Sequence, residues 1–359
     1  MKIRKIHIDN YKILKNFDLD LTLNNKPLNF VVLAGINGTG KTSIFEFLET
    51  SLKTLNISDN SYIEIEEYNS RYKKNEIFTI ENKQKYKTDL DIDINLEELL
   101  SFSEHRIIYF KAGKINTTAK EIIIEYIDKL IYEEDLKSSE AYIKVQEILS
   151  KIFYDFELQV EFNMLDKQRN IYFKNEISEK IKIDDLSGGE KELITKAFPL
   201  LILDIKNSVI LIDEPEYSLH PKWQNRIVKI YEDFANKNNN QIIFATHSPH
   251  IIASTKKESL KLLIKNNKKI EVFENFEGSY GWEVNKILIE IMELDSLRTP
   301  VIETKLDCLK KLIIENKTET KEFILLHQEL ENILGINDVE LSLLRVEINK
   351  RKQDSEKNK

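Results

Sequence analysis

Three short runs place polar side chains at intervals that suit phosphate chemistry. In the first, Gly35-Ile36-Asn37-Gly38-Thr39-Gly40-Lys41-Thr42, two glycines, a lysine and a hydroxyl are spaced as GxxxxGKT, directly after the apolar run NFVVLA. Glycines let such a loop turn tightly and aim its N–H groups at phosphate oxygens. Lys41 then reaches the β- and γ-phosphates, and the Thr42 hydroxyl suits Mg²⁺. Asn37, Gly38, Thr39, Gly40, Lys41 and Thr42 are therefore the candidate ATP-binding set. The second run, Val209-Ile210-Leu211-Ile212-Asp213-Glu214-Pro215, is an apolar strand ending in two acids. There Asp213 offers hard oxygen ligation to Mg²⁺, directly or through water, and Glu214 is the candidate water-orienting group and general base. The third run, Leu186-Ser187-Gly188-Gly189-Glu190, reads as a helix start in which Ser187 caps a backbone N–H and Glu190 completes a capping box. Helix-terminal N–H groups also favour phosphate, so capping and ligand binding are compatible.

These runs need a sheet and helices to hold them. The stretch from Ile3 to Leu23 alternates apolar and polar residues as two strands with a turn, and Asn29 to Ala34 is a compact strand followed by a helix over Thr42 to Leu52. Ser61–Glu67 and Arg71–Glu81 mix strand-like and charged residues, which suggests an exposed antiparallel lobe. Helices are expected over Ala119–Tyr132 and Ser138–Phe153, and strands over Phe156–Phe162 and Asn170–Phe173. The runs VILI, ending at Ile212, and IIFA, from Ile242, read as buried parallel strands joined by a crossover helix. Residues 1–275 thus form an α/β head with an inserted lobe and short arm at about 55–180. Residues 276–350 form a C-terminal helical module, and 351–359, RKQDSEKNK, are expected to be a flexible tail.

Composition narrows the class further. With 53 Lys and Arg against 61 Asp and Glu, the net charge of -8 predicts no whole-surface attraction to nucleic acid, although a local basic groove is compatible with it. The single Cys308 excludes an intramolecular disulfide framework and a multi-Cys zinc site. His7, His105, His250 and His327 form no metal-ligand spacing. The start MKIRKIHIDNYKIL has no signal-like apolar core, and no run approaches the roughly 20 apolar residues of a membrane span, so a cytoplasmic protein without membrane insertion is expected.

Taken together, GINGTGKT, LSGGE, VILIDEPE and ATHSP resemble the motif set of ABC-type ATPases, and the N-terminal MKIRKIHIDNYKILKNF with DEPEYSLHP resembles the SMC, RecF and OLD-like branch. The resemblance implies a P-loop ATPase head that uses ATP and Mg²⁺ and pairs with a second head across the nucleotide. In that arrangement Ser187, Gly188, Gly189 and Glu190 would act in trans on the γ-phosphate held by the other subunit. Ser218, Leu219 and His220 would couple the two heads, and His247 would sense the γ-phosphate and help position water beside Glu214. Read without the resemblance, each histidine is an ordinary cap or hydrogen-bonding group at a strand end. The glutamine loop of related ATPases has no clear equivalent: Gln84 sits in a charged segment, and the run Arg106–Phe110 could occupy the corresponding transition.

The interval from Lys41 to Ser187 is too short for long coiled-coil arms, and no glycine–acid strand with paired metal ligands follows residue 255, so nuclease chemistry is not expected in this chain. The C-terminal GWEVNKILIEIMELDSLRTP is similar to the tails of PtuA-like ATPases of Septu and retron-associated antiphage systems. That similarity implies a regulatory ATPase that gates a separate effector, an HNH-type nuclease or other toxin, with a reverse transcriptase and structured nucleic acid in retron variants. The alternative is a RecF-like DNA-maintenance or repair ATPase, which would bind DNA in a salt-dependent way.

Overall fold

The structure is a computed structural model that describes residues 1–54, 57, 60–69, 74–81, 87–88, 107–111, 118–202, 205–273 and 276–357; Gln84, His105 and Arg106 lie outside the described residues. The chain divides into two compact units, Met1–Ile287 and Leu288–Lys359. The first begins with β1 (Lys2–Tyr11), β2 (Leu14–Asp20), the short pair β3 (Thr22–Leu23) and β4 (Lys26–Pro27), β5 (Phe30–Ala34) and α1 (Lys41–Thr54). Next come β6 (Tyr62–Asn69), β7 (Lys74–Glu81), β8 (Lys87–Thr88), β9 (Ile107–Phe110), α2 (Ala119–Tyr132), α3 (Ser138–Phe156), β10 (Glu161–Leu165), β11 (Ile171–Lys174) and β12 (Ile181–Lys182). They are followed by α4 (Gly188–Ile202), β13 (Val209–Asp213), α5 (Pro221–Lys237), β14 (Gln241–Thr246), α6 (Pro249–Ser254), β15 (Leu260–Asn266) and β16 (Lys269–Val272). After α7 (Val284–Glu290), the second unit holds α8 (Pro300–Ile314), α9 (Lys321–Leu334) and α10 (Val339–Lys357).

The central sheet has six strands in the order β16-β15-β5-β14-β13-β9. The runs FVVLA, VILID and QIIFAT of β5, β13 and β14 are buried at every position, as strands covered on both faces must be. β9, β13, β14, β5 and β15 run parallel, and β16 returns antiparallel to β15. The second sheet, β2-β1-β6-β7-β8, is antiparallel. Charged strands 62–69 and 74–81 thus form the expected antiparallel lobe outside the central sheet, extending the sheet begun by the N-terminal hairpin. Between the two sheets lies α1, whose Ile44, Phe45 and Leu48 share one core with Ile6, Ile8 and Phe17 on one side and Leu33, Leu211 and Ile243 on the other. A buried amide fastens the sheets together: Gln241 accepts from the Ile3 N–H (2.7 Å) and donates to the carbonyl oxygens of Ile3 (2.8 Å) and Leu28 (2.9 Å).

α2 and α3 form the short helical insertion. Tyr126 meets Phe198 of α4 edge-on at 5.6 Å, while Tyr142 and Phe153 of α3 meet Phe162 and Phe173 of the small sheet β10-β11-β12. In the second unit, Leu306, Leu309, Leu312 and Ile313 pack with Phe323, Leu330, Leu341 and Leu344. α10 continues through Lys357, so residues 351–357 are helical where their charge led a frayed tail to be expected. Glutamate, lysine and arginine are good helix formers, no Gly or Pro interrupts the stretch, and Arg351 donates to Glu347 one turn back (2.8 Å). Among the described residues no helix is long and apolar enough to cross a membrane.

Candidate nucleotide site

Strand register brings three of the motifs to one edge of the sheet. Ala34 pairs with Thr246, and Asp213 pairs with Ala245, so the loop after β5, the acids after β13 and the histidine after β14 all emerge at the carboxyl ends of parallel strands. That edge is where open α/β sheets bind ligands. β9 ends beside them, with Phe110 opposite Ile212 and Tyr109 opposite Leu211.

In the phosphate loop Lys41 is buried, and its Nζ donates to the carbonyl oxygens of Gly35 (2.7 Å) and Ile36 (3.1 Å). Among the described residues no carboxylate lies within ion-pairing distance of it. Burial lowers its affinity for a proton, and the charges of Asp213, Glu216 and Glu214 oppose that shift. A desolvated cation without an anionic partner suits an incoming phosphate. Gly40 has φ +82°, where a side chain is strained, and a Cβ there would stand 2.8 Å from Leu14 Cδ2. Thr39 donates from Oγ1 to the Ile36 oxygen (2.9 Å), while Asn37 and Gly38 are exposed at the loop tip.

Across the loop, the Thr42 hydroxyl donates to Asp213 Oδ2 at 2.8 Å, and the Tyr109 hydroxyl reaches the same oxygen at 3.3 Å. Burial raises the pKa of Asp213, as does the neighbouring Glu214, against the hydrogen bonds from Thr42 and Tyr109. Burial and the Asp213 charge push the Tyr109 phenol far above its ordinary value, so it acts as a hydrogen-bond donor. A hydroxyl and a buried carboxylate in contact fit Mg²⁺, which uses few protein ligands and completes its shell with water and phosphate oxygens.

Glu214 and His247 also come together. His247 Nδ1 lies 3.4 Å from Glu214 Oε1 and 3.5 Å from Glu216 Oε1. Glu216 is buried, and its Oε1 accepts from the Thr246 hydroxyl (2.7 Å) and the His247 N–H (3.0 Å). Glu214 (φ 49°) and Ser218 (φ 61°) both adopt left-handed backbone, which folds the 213–220 segment into a compact turn. His220 ends that turn as the N-cap of α5, its Nδ1 accepting from the Lys222 N–H at 3.2 Å.

Ser187 and Glu190 form the capping box: Ser187 Oγ accepts from the Glu190 N–H (3.2 Å), and Glu190 Oε2 accepts from the Ser187 N–H (2.7 Å). The 187–190 turn makes no hydrogen bond to the phosphate loop among the described residues. Gly189 instead abuts Ser218 O and the Trp223 ring, so this turn leans on the 213–220 segment of its own chain. Sequence reasoning missed Tyr109, Glu216, Trp223 and Gln224. The only local signals were the aromatic in IIYF and the second acid of DEPE, and neither reveals its distant partner.

The fold is SMC-head-like, a mixed α/β architecture with an antiparallel sheet and helical additions. The chain is similar to the crystal structure of the SmcHead bound to the C-winged helix domain of ScpA, with TM-score 0.53 and 16% identity over 76% of this chain and 97% of that one. Residues 113–253 match the family model described as AAA domain, putative AbiEii toxin, Type IV TA system. Septu protein PtuA of Bacillus thuringiensis is 26% identical over 302 residues, covering 83% of this chain and 64% of that protein. Retron Ec83 probable ATPase of Escherichia coli is 30% identical over 192 residues, covering 50% of this chain and 34% of that protein. The chain thus spans less than two thirds of the length of these curated relatives.

Proposed function

We propose that this chain binds and hydrolyses ATP as the regulatory subunit of a bacterial antiphage defence assembly, gating a separate effector nuclease or toxin through ATP-dependent association of two heads. The observation that carries the nucleotide reading is the convergence of Lys41, Thr42–Asp213 and Glu214–His247 at one sheet edge. The defence setting rests on similarity to a Septu protein and a retron ATPase.

In this reading Lys41 leaves the Gly35 and Ile36 carbonyls to meet the β- and γ-phosphates, and residues 37–40 turn their N–H groups to the same oxygens. Thr42 and Asp213 would hold Mg²⁺, which when bound neutralises developing phosphate charge. Glu214 orients the attacking water and takes its proton, while His247, beside that carboxylate, would sense the γ-phosphate and help position the water. Ser187 and the Gly188–Gly189 backbone, with Glu190 fixing the turn, act on nucleotide held by a second copy. Ser218, Leu219 and His220 lie at the head junction.

The test is nucleotide binding and native mass spectrometry of the chain isolated from its host with ATP and Mg²⁺. Lys41→Ala is expected to lose ATP binding, and Glu214→Gln to keep ATP bound, unhydrolysed, in a paired form. Equal hydrolysis by wild type and Glu214→Gln rejects the role of Glu214. A stoichiometric nuclease or toxin in the trapped assembly supports gating, whereas a paired form carrying only DNA replaces this reading with DNA maintenance.

A further inference from the structure

The carboxylate of Glu216 carries one of the few buried side-chain polar atoms without a hydrogen-bond partner among the described residues. The residue is 7% exposed, and its Oε2 is buried without a hydrogen-bond partner. Its other oxygen does the opposite, collecting the Thr246 hydroxyl at 2.7 Å, the His247 N–H at 3.0 Å and the His247 ring, whose Nδ1 is 3.5 Å away. An unpaired buried polar atom costs about 1–3 kcal/mol, more when charged. A glutamine could keep the contacts to Thr246 and the His247 N–H without burying a charge, so stability alone is a poor reason for a glutamate here.

The contacts around it form a closed circuit. Thr246 Oγ1, besides donating to Glu216, accepts from the Ser248 N–H at 2.9 Å. Ser248 Oγ donates to Gln224 Oε1 at 2.6 Å, and Gln224 Nε2 donates to the carbonyl oxygen of Leu219 at 2.8 Å. The Leu219 N–H then returns to the Glu216 carbonyl at 2.9 Å. One ring of hydrogen bonds therefore joins the end of β14, the start of α5 and the 216–219 turn. The imidazole of His247 is attached at its rim. Its Nδ1 is buried without a hydrogen bond between Glu214 and Glu216, while 40% of the side chain is exposed.

We infer that Glu216 is a positioning residue for His247: from its buried seat it fixes the backbone of residues 246 and 247 and draws Nδ1–H inward, leaving Nε2 for the ligand side. Two carboxylates beside Nδ1 favour the tautomer that carries its proton there, because each can accept it and neither can donate. The inference rests on the nucleotide reading for its catalytic consequence, but the geometry at His247 is measurable without hydrolysis.

Two measurements on the full chain test it. In long-range ¹H–¹⁵N NMR of labelled histidine, wild-type His247 is expected as the Nδ1–H tautomer. Glu216→Leu, which takes away the acceptor on one side of Nδ1 and leaves Glu214 on the other, is expected to weaken that preference, and Glu216→Gln, whose amide oxygen can accept again, to restore most of it. An unchanged His247 tautomer in Glu216→Leu overturns the inference whether or not the chain hydrolyses ATP. In the ATPase assay, Glu216→Leu is expected to lower kcat at least about tenfold with KM for ATP within about twofold, since misplacing a reacting group by about an ångström can cost about a hundredfold. In a His247→Ala background the same change should cost less than about twofold, because a residue acting through His247 has nothing left to position. Full additivity overturns the inference, and a wild type that hydrolyses no ATP overturns the nucleotide reading instead. If Glu216→Leu does not fold, Thr246→Val removes one hydroxyl from the circuit and is expected to lower kcat with the same dependence on His247. Additive loss in that pair also overturns the inference.

Discussion

Alanine at position 189 would put a methyl group into occupied space. A Cβ there would stand 2.6 Å from Trp223 Cζ3, 2.9 Å from the backbone oxygen of Ser218 and 3.4 Å from Trp223 Cε3. Carbon atoms rest at about 3.5–4.0 Å, so either the indole or the helix start must move by about an ångström. Overpacking of this kind costs about 1–3 kcal/mol. Ala is also a better helix former than Gly by up to about 1 kcal/mol, which partly offsets the clash. Gly188 supplies the control, because a Cβ built there meets nothing within 4 Å while the helix-forming gain is similar. Subtracting the two variants isolates the clash: Gly189→Ala should be less stable than Gly188→Ala by about 1–3 kcal/mol. The only tryptophans are Trp223 and Trp282, so urea unfolding followed by their fluorescence reads the first unit, including the displaced ring itself. With a slope near 3 kcal/mol/M, the midpoint of Gly189→Ala should fall about 0.3–1 M below that of Gly188→Ala. Equal midpoints and an unchanged emission maximum would refute the packing of the 187–190 turn against α5.

Two further outcomes follow from buried charge. Burial raises the pKa of Asp213, so the folded chain binds that proton more tightly than the unfolded chain; the associated stability is complete below the ordinary carboxylate range and is lost as pH rises through the raised value. Asp213→Asn, whose amide oxygen still accepts from Thr42 and Tyr109, should therefore be more stable than wild type at pH 8 without Mg²⁺, with the advantage shrinking toward pH 4. It should also lose Mg²⁺-dependent nucleotide binding, and urea midpoints with and without Mg²⁺ and ATP check both halves. In the second unit, burial pushes the Asp338 carboxyl up, but Arg298, at 2.9 and 3.0 Å, and the N–H groups of Leu341 and Glu340 more than reverse it, leaving its pKa depressed. Its contribution is present above the ordinary carboxylate range and is lost as pH falls through the depressed value. Asp338→Ala removes a helix cap and strands Arg298, costing about 1–3 kcal/mol at pH 7, and should speed hydrogen exchange across α10 while sparing β13 and β14.

Much of the site was legible because its logic is local. A strand too apolar to face water, followed at once by glycines and Lys41, defines the loop before any contact is known, and the same holds for VILID followed by Glu214. Ser187 and Glu190 announce their capping box through spacing alone. Tyr109 was hidden for a different reason: its partner lies 104 residues away, and only the parallel pairing of a four-residue strand with β13 brings the phenol to Asp213. Gly189 likewise reads as one half of a flexible pair, yet it is distinguished from Gly188 by a tryptophan on another helix. The antiparallel character of 62–69 and 74–81 was legible in their mixed charge, which signals an exposed face, but that charge does not say which neighbour pairs at the edge, here β1. At 351–357 composition says that the stretch is solvated but does not tell a tail from a helix.

The 216–220 turn is where these long-range contacts converge. From one side Gly189 leans on Ser218 O, and from the other Glu216 holds the Thr246–His247 pair, while Gln224 ties Leu219 to Ser248. A displacement of the 187–190 turn therefore has a direct route to the imidazole beside Glu214, through packed atoms and hydrogen bonds with no long lever between. Each hydrogen bond in that route is worth only about 1 kcal/mol net. Coupling of about 1–3 kcal/mol nevertheless changes an equilibrium by about 5–150-fold, and the loss of two such bonds falls within that range. Gln224 offers the cleanest separation of coupling from chemistry, since among the described residues its side chain hydrogen-bonds Leu219 and Ser248 and makes no hydrogen bond to the phosphate loop, Asp213 or Glu214. On the head pairing proposed above, Gln224→Leu should leave ATP affinity intact while weakening the dependence of hydrolysis on protein concentration; hydrolysis that stays equally dependent would show that the turn does not carry the signal.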